Sequence, residues 1–346
     1  MASTGVRRTT RVPVPVCAGV IGCGRAGMRR IKSLLTFPGA VLTFAADPDP
    51  RALSEVETVA AGTPTGPDAG SLLLSSHVDV VLISTPPSTH ESFIRMAVEA
   101  GVRHVLVEKP MTMDGESARR MAGLADATGT TIKVGSNLRR FGEIESLVRL
   151  VRSGKLGMPL KASFHIGHSG TGLASWARDP QVAGGGTLLD NGVHIIDLAR
   201  FLGLLGKRYR VVSAHAGWIR SGVDQLAAFE VASHHELGGV EQVVSMEFST
   251  SWIRTDGFYL DVAIQGTDGS VTLQVGNPSL LKYTGKHSFS TRFHKANNSW
   301  EADTHDFLRA VVRNTGVAPT ASDGAEVLAV VDTVYALARA GEGDAR

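Results

Sequence analysis

The chain has 346 residues, of which 43% are hydrophobic and 20% charged, and this composition is typical of a soluble globular protein with enough chain for two domains. With 35 Lys and Arg against 33 Asp and Glu, the net charge is only +2 and neither sign forms a long run, which argues against nucleic acid or an anionic membrane as the main partner. No apolar stretch reaches the length of a membrane span.

The N-terminal segment 1–13 is rich in Arg, Ser and Thr and lacks the apolar core of a secretory signal. We predict a short disordered tail there, with a transit peptide as the alternative. The two cysteines, Cys17 and Cys23, fit no zinc-binding spacing and are too few for a disulfide framework. Reduced thiols and a cytoplasmic location are the simplest expectation, and no metal site is predicted.

From residue 14 to residue 137, short apolar runs alternate with helical patterns. The apolar runs predict five strands, at Val14–Ile21, Val41–Ala46, Val78–Ser84, Val102–Val107 and Thr131–Val134. The segments between them predict helices at Met28–Thr36, Arg51–Ala60, Ser88–Ala100 and Asp114–Thr128, with Pro48 in the first turn of the second. Because the strands are apolar throughout, they indicate a parallel sheet covered by helices on both faces, and hence an α/β fold.

The unusual residues of this half all follow predicted strands. In chain order they are Gly22-x-Gly24-x-x-Gly27 with Arg25 and Ala26 inside it, Asp47, Thr85-Pro86 and Glu108-Lys109-Pro110. Parallel sheets of this kind bind their ligands at the carboxyl ends of the strands. We therefore predict one binding site along this edge and interpret residues 14–137 as a Rossmann dinucleotide-binding domain.

The glycine loop and Asp47 together indicate the cofactor. The glycines allow a tight turn and a close approach of backbone N–H groups to a pyrophosphate at the positive end of a helix. Asp47 lies 20 residues after Gly27, where a carboxylate accepts hydrogen bonds from the adenosine ribose and repels a 2′-phosphate. We predict NAD, with NADP less favoured. The structural alternative for Asp47 is a helix N-cap before Pro48.

Lys109 stands at a predicted strand end, between Glu108 and Pro110. From there it points into the predicted cofactor crevice, where its ammonium can hold a substrate hydroxyl and stabilise alkoxide character. A cis Lys109–Pro110 bond would fix its direction. The structural alternative is a surface lysine paired with Glu108.

After Asn137 the pattern changes. A helix is predicted at Arg139–Ser153, and closing helices at Asp303–Arg313 and Gly324–Arg339. Alternating runs predict strands at Leu160–His168, Arg210–Ile219, Gln225–Ala232, Glu241–Phe248 and Tyr259–Ile264. We therefore predict that residues 138–346 form an α+β domain with an open, mostly antiparallel sheet, one face of which is covered by helices.

Within this second half, the glycine run 184–186 opens into a helical pattern. Asp190, His194 and Asp197 fall at i, i+4 and i+7 of that pattern and so share one helix face. A histidine between two carboxylates on a rigid element is suited to moving protons. A structural histidine on a half-buried helix is the alternative.

Two other chemistries find no support in the sequence. His165 and His168 are three apart on one predicted strand and cannot chelate a metal ion together. No Gly-x-Ser-x-Gly elbow sits at a strand end, which argues against a serine hydrolase.

The motifs, taken in order, resemble those of the Gfo/Idh/MocA oxidoreductases, a family that includes glucose-fructose oxidoreductase, inositol dehydrogenase and rhizopine catabolism proteins. The resemblance covers roughly residues 14–340. Its marks are Gly22-x-Gly24-x-x-Gly27, Thr85-Pro86-x-x-x-His90, Glu108-Lys109-Pro110 and Gly185-Gly186-x-x-x-Asp190-x-Gly192-x-His194-x-x-Asp197.

The resemblance implies a Rossmann domain followed by an open-sheet domain, residues 138–346, that binds substrate and builds a homodimer or homotetramer. It implies catalytic roles for Lys109, Asp190 and His194. The predicted cofactor-binding residues are Gly22, Gly24, Arg25, Ala26, Gly27, Asp47, Thr85, Pro86, His90, Glu108, Lys109 and Asn137. The predicted substrate-binding residues are Arg139, Trp176, Asp190 and His194, with Arg140 as a further candidate.

The intact Lys109, Asp190 and His194 look like the inositol dehydrogenase set. We therefore predict NAD-dependent oxidation of a secondary hydroxyl of a cyclic polyol, sugar or amino sugar to a ketone, with His194 as the base. Arginine-rich basic usage, typical of a GC-rich genome, adds aminoglycoside-like specialised metabolism as a context. The alternatives are an NAD-using glycosidase or ketoreductase of the same fold, and a non-catalytic nucleotide or sugar sensor.

Overall fold

The computed structural model describes residues 15–237, 239–253, 257–294 and 298–343. The predicted tail 1–13 and the first residue of the predicted strand Val14–Ile21 lie outside these ranges. Within them, no helix is long and apolar enough to cross a membrane.

The first half of the chain builds a parallel sheet, as predicted. Among the described residues it has six strands in the order β3-β2-β1-β4-β5-β6. The strands are β1 (Val16–Ile21), β2 (Ala40–Ala46), β3 (Thr65–Gly66), β4 (Val80–Ile83), β5 (His104–Val107) and β6 (Thr131–Val134). The sequence prediction missed β3, because a two-residue edge strand carries no apolar run. All four residues of β4 are fully buried, as expected for a strand covered on both faces.

Helices cover both faces of this sheet. They are α1 (Arg25–Leu35), α2 (Pro50–Val59), α3 (Ala69–Ser75), α4 (His90–Glu99) and α5 (Gly115–Thr128). The prediction that Pro48 occupies the first turn of α2 is wrong, because Pro50 does. Asp49 is the N-cap, and its side chain accepts a hydrogen bond from the Arg51 amide at 2.9 Å.

The second half forms an open sheet of eight strands in the part of the chain that the structure describes, in the order β14-β13-β12-β11-β7-β10-β9-β8. The strands are β7 (Pro159–Gly167), β8 (Tyr209–Trp218), β9 (Asp224–Leu237), β10 (Val240–Ser251), β11 (Tyr259–Gly266), β12 (Gly269–Val275), β13 (Ser279–Gly285) and β14 (Phe289–Phe293). Only the β7–β10 pair among these is parallel. The prediction of a mostly antiparallel sheet is confirmed.

Five further α-helices are described in this half. They are α6 (Gly142–Arg152), α7 (Pro180–Ala183), α8 (Val193–Phe201), α9 (Ser299–Arg313) and α10 (Ala321–Gly343). Strand alternation supplies the core beneath α8, where the ring of Phe248 stacks between those of Phe164 and Phe229 at centroid distances of 5.1 and 4.8 Å. Each such buried side chain contributes roughly 1.5–3 kcal/mol of hydrophobic stabilisation.

The last two helices return to the first sheet. The Val134 amide of β6 bonds to the Pro319 carbonyl at 2.9 Å, just before α10. Asp332 of α10 accepts from the Gly115 amide of α5 at 2.9 Å, and Asp303 of α9 lies 2.8 Å from the Arg30 guanidinium of α1. The carboxyl ends of the first sheet are therefore held beside α8, which carries His194.

Candidate active site

The glycine loop between β1 and α1 has room only for glycine at two positions. Gly22 has φ +89°, and a Cβ there would lie 2.7 Å from the carbonyl carbon of Ser84. A Cβ on Gly27 would lie 1.8 Å from the Gly22 carbonyl oxygen. At Gly24, by contrast, an added Cβ would meet none of the described atoms within 4 Å. The first turn of α1 therefore opens onto free space that suits the pyrophosphate of a dinucleotide.

Asp47 ties the end of β2 to this loop. Its Oδ2 accepts from the Cys23 amide at 2.7 Å and its Oδ1 from the Asp49 amide at 2.8 Å. Asp49, and not Asp47, caps α2, so the N-cap alternative for Asp47 is wrong. Each carboxylate oxygen has a second lone pair, which leaves Asp47 able to accept from a ribose diol. A cleft of about 490 Å³ opens beside the loop, and Arg25 is among its lining residues.

Two of the predicted cofactor residues are enclosed by protein. His90 is fully buried, with Nε2 2.8 Å from the Thr85 carbonyl and Nδ1 2.9 Å from the Pro110 carbonyl. Burial lowers the pKa of His90. Glu108 is also buried and accepts from Arg30 Nε at 2.8 Å and Nη2 at 2.6 Å. His90 therefore contacts the backbone at Thr85 and Pro110, whereas Glu108 holds the Arg30 side chain.

Lys109 reaches across to the second half of the chain. Its Nζ donates to Asp190 Oδ1 at 2.7 Å and to the Asp190 carbonyl at 2.9 Å. The proposed surface pairing with Glu108 is therefore wrong. The Lys109–Pro110 bond is cis. One ion pair thus joins the end of β5 to the segment that precedes α8.

The Asp190 carboxylate is the centre of a polar cluster that also contains Lys109, His168 and Trp252, and that is called the Lys109 cluster below. Besides Lys109, the His168 Nε2 lies 3.3 Å and the Trp252 Nε1 3.1 Å from Oδ2. Burial opposes ionisation, but the Lys109 ammonium and the hydrogen bond from His168 hold the pKa of Asp190 far below its usual range. The carboxylate is therefore fully charged at neutral pH.

The tautomer of His168 follows from its second contact. Its Nδ1 accepts from the Gly170 amide at 2.9 Å, so the proton of the neutral ring sits on Nε2 and is donated to Asp190. Sequence reasoning placed His168 within a strand and missed this role. β7 ends at Gly167, and His168 leads into the loop above the site. His165, in contrast, lies 2.7 Å from the Ser249 hydroxyl, away from this cluster.

The predicted helix around Asp190 begins with a wider turn. Leu188–Gly192 is a π-helical turn that runs directly into α8. Such turns are rare and occur often at functional sites. Asp190 lies on the π turn and His194 on α8, so the two side chains are separated by a turn wider than the 3.6-residue period assumed from the sequence.

His194 faces Lys109 across a small cavity. The cavity, of about 30 Å³, is lined by Lys109, Ser136, His194 and Asp197 among others. Burial and the nearby Lys109 ammonium lower the pKa of His194 to about 4, although the carboxylates of Asp190 and Asp197 act in the opposite direction. The ring is therefore neutral at pH 7 and can accept a proton.

Asp197 is engaged elsewhere. It accepts from Ser136 Oγ at 2.8 Å and forms a two-pronged pair with Arg139, whose Nε and Nη2 lie 2.7 and 2.5 Å from its oxygens. Arg139 is buried, and its guanidinium stacks over the Phe201 ring at 4.5 Å. Asp190 and Asp197 thus both act on the pKa of His194, but only Asp190 belongs to the Lys109 cluster.

The structure spreads the other predicted residues more widely. Trp176 is 38% exposed on a short turn before α7. Asn137 donates to the Ser299 hydroxyl at 3.1 Å, and Arg140 pairs with Asp306 of α9 at 2.5 Å. Their roles in binding cofactor or substrate stay predictions, as does that of Arg139.

One group of three potential metal ligands is found among the described residues. Ligand atoms of Cys17, His77 and Asp79 lie within 4.8 Å of one another. They gather at the amino ends of β1 and β4, whereas the glycine loop follows the carboxyl end of β1. The group is therefore separate from the site built around Lys109.

Comparisons with known proteins agree with this architecture. The family model for oxidoreductases with an NAD-binding Rossmann fold matches residues 16–136, and the model for the C-terminal alpha/beta domain of the same oxidoreductase family matches residues 148–343. A scyllo-inositol 2-dehydrogenase (NAD⁺) of Bacillus subtilis (strain 168) is 28% identical over 297 residues, or 81% of this chain and 82% of that protein. A D-apiose dehydrogenase of Paraburkholderia graminis is 25% identical and covers 98% of this chain and 92% of its own length.

Solved structures share the fold over nearly the whole chain. GenD2 from gentamicin A biosynthesis, in complex with NAD, superposes with a TM-score of 0.82 at 24% identity, covering 97% of both chains. A levoglucosan dehydrogenase in complex with NADH and L-sorbose superposes with a TM-score of 0.81 at 20% identity, covering 94% of this chain and 97% of that one. At these identities the likeness shows the fold alone.

Proposed function

The chain belongs to the Gfo/Idh/MocA family of oxidoreductases, and on that premise we propose that it oxidises a secondary hydroxyl of a cyclic polyol, sugar or amino sugar to a ketone with NAD. The observation that carries the proposal is the Lys109–Asp190 pair at 2.7 Å beside the neutral His194, at the carboxyl edge of the nucleotide-binding sheet. The set combines a cation, a carboxylate and a base.

In the mechanism, each side chain has one task. The backbone of Gly22, Gly24 and Gly27 would hold the pyrophosphate of NAD and Asp47 the adenosine ribose, and NAD, when bound, supplies the acceptor for the hydride. His194 takes the proton of the substrate hydroxyl. Lys109 orients that hydroxyl and stabilises the negative charge that develops on its oxygen.

Asp190 holds the Lys109 ammonium in place. Because His168 and Trp252 donate to its other oxygen, the carboxylate keeps its orientation when substrate approaches Lys109. The relatives that oxidise inositol and apiose support a substrate of this class. Aminoglycoside-type amino sugars belong to the same predicted class.

The test is turnover by the purified full chain. NADH absorbance is measured with NAD and a panel of inositols, pyranose sugars and amino sugars, and at least one of them is expected to reduce NAD. If sugar is cleaved without net NADH, the chain is an NAD-using glycosidase. If NAD binds but no substrate is converted, it is a sensor. Either result overturns the proposal.

Asp47 provides a separate test of the cofactor. Asp47→Ala removes the charged acceptor for the ribose diol, and a hydrogen bond to a charged group contributes about 1.5–3 kcal/mol, so the Kd for NAD is expected to rise by about 10-fold or more. The preference for NAD over NADP should narrow as well. Titration of both cofactors by fluorescence checks this.

The matched control for Asp47→Ala is Asp68→Ala. Asp68 is also an N-cap carboxylate, since it caps α3 and accepts from the Ser71 amide at 3.1 Å, but it does not line the cleft beside the glycine loop. Its loss is expected to lower stability slightly without changing the cofactor preference. An unchanged ratio of the Kd values for NAD and NADP in Asp47→Ala would refute the role of Asp47 in binding the ribose. We further propose that the chain forms a homodimer or homotetramer, which light scattering tests. A cytoplasmic location is also a proposal.

A further inference from the structure

Asp224, the first residue of β9, is fully buried and accepts three hydrogen bonds. Its Oδ1 accepts from the Gly186 amide at 2.8 Å and from the Tyr335 hydroxyl at 2.6 Å. Its Oδ2 accepts from the Leu188 amide at 2.8 Å. Gly186 and Leu188 begin the segment that carries Asp190 and His194, which lie two and six residues after Leu188.

The Asp224 carboxylate caps the start of the π turn, although Asp224 itself lies on β9 and not next to the turn in sequence. Thr187 stands at the N-cap position of the π turn, but its hydroxyl lies 2.8 Å from that of Thr250. Two amides at the start of the turn are instead satisfied by Asp224, whose negative charge also suits the positive end of a helix. The segment is therefore anchored to β9.

Tyr335 extends the anchor to α10. Burial and the Asp224 carboxylate raise the pKa of the Tyr335 hydroxyl well above its usual value, so it remains a donor. The preceding glycines fit around this pair. A Cβ on Gly185 would lie 2.3 Å from the Tyr335 hydroxyl, and a Cβ on Gly186 would lie 1.8 Å from the Asp224 carbonyl oxygen.

We propose that Asp224 and Tyr335 are positioning residues, which fix the start of the π turn and thereby the directions of Asp190 and His194. The inference rests on the proposed function of those two side chains. Neither Asp224 nor Tyr335 is among the residues lining the cavity beside His194, so both act through the backbone. A displacement of about 1 Å in a reacting group can cost about 10²-fold in rate, which makes such an anchor consequential.

The test is Tyr335→Phe, which removes only the hydroxyl. The ring keeps its packing against Trp218, and Asp224 keeps both amides, so the fold is retained and the shift of the turn is small. We expect kcat to fall by about 10-fold, less than for a full 1 Å displacement, with the Kd for NAD unchanged. The titration of the His194 ring, followed by NMR and assigned with His194→Asn, is expected to move, because the ring shifts relative to Lys109, Asp190 and Asp197.

Tyr283→Phe is the matched control. Tyr283 is also a buried tyrosine, and its hydroxyl donates to the Lys155 carbonyl at 3.0 Å in another part of the sheet. This variant should lose stability to a similar extent but keep the wild-type kcat and His194 titration. If Tyr335→Phe kept the wild-type kcat and the wild-type His194 titration, the proposal would be overturned. The Tyr335 hydroxyl would then contribute to stability alone.

Asp224→Asn provides the second variant. One acceptor oxygen becomes an NH₂ group that faces a backbone N–H, so a larger loss of kcat than in Tyr335→Phe is expected. Equal or smaller loss would contradict the anchor. If the wild-type chain reduces no NAD with any substrate, the proposed function fails, but the His194 titration still tests the positioning role on its own.

Discussion

His194→Ala is expected to lower kcat by about 10²–10⁴-fold, the usual contribution of a positioned general base, while the Kd for NAD changes little. The imidazole faces Lys109 across the small cavity and is neutral at pH 7, so its loss removes the proton acceptor. The predicted contacts of NAD lie on the first sheet and its loops, which explains why binding should persist. Steady-state kinetics and cofactor titration measure the two quantities separately.

The pH dependence identifies the base. A base acts only when deprotonated, and the pKa of His194 is lowered to about 4, chiefly by burial. The kcat/KM of the wild type should therefore stay level from neutral pH to about pH 5 and fall as the pH drops through 4. A histidine with an ordinary pKa would lose activity from about pH 6.5. In His194→Ala the acidic limb should disappear together with most of the activity.

His165→Ala is the matched control for this prediction. His165 lies on β7 and contacts the Ser249 hydroxyl at 2.7 Å, outside the Lys109 cluster. Its loss should leave both kcat and the pH profile unchanged. Full turnover in His194→Ala, or an acidic limb that survives in it, would refute the assignment of His194 as the base.

The nucleotide-binding half was predictable because its signals are local. Buried parallel strands are apolar along their whole length. The glycine loop and Asp47 directly follow two of them, and Lys109 is the second residue after β5. The wrong predictions in this half concern single short elements. β3 was missed because two residues are too few to show a pattern, and α2 starts at Pro50 rather than at Pro48. The family and the oxidoreductase class inferred from these motifs are confirmed.

The surroundings of the candidate catalytic residues could not be predicted in the same way. The residues that surround the Asp190 segment come from separate strands, loops and helices: His168, Trp252, Asp224 and Tyr335. Their distances along the sequence follow no helix or strand period, so no pattern predicts these contacts. The π turn also escaped prediction, because helical spacing was assumed to be 3.6 residues throughout. His168 was placed inside the predicted strand Leu160–His168, so its position directly after β7 was not predicted either.

Lys109→Met is expected to lower kcat by about 10²–10³-fold, because it removes the cation that would face the developing alkoxide while it keeps an unbranched side chain. Asp190→Asn breaks the same ion pair from the other side. The two changes should therefore be strongly non-additive, with the double variant scarcely slower than Lys109→Met. Lys161→Met is the control, since Lys161 pairs with Glu247 at 2.6 Å on the surface of the second sheet.

The acidic limb, the fall of kcat/KM at low pH, distinguishes an electrostatic effect of Lys109 on His194 from a role limited to holding Asp190 in place. The Lys109 ammonium lowers the pKa of His194, and Asp190 raises it. Lys109→Met should hence move the limb to higher pH, still below the ordinary 6.5 because burial remains, whereas Asp190→Asn should move it to lower pH. If both variants shifted the limb in the same direction, the charges would not act on His194 independently, and the two residues would serve the base only by holding its helix in place.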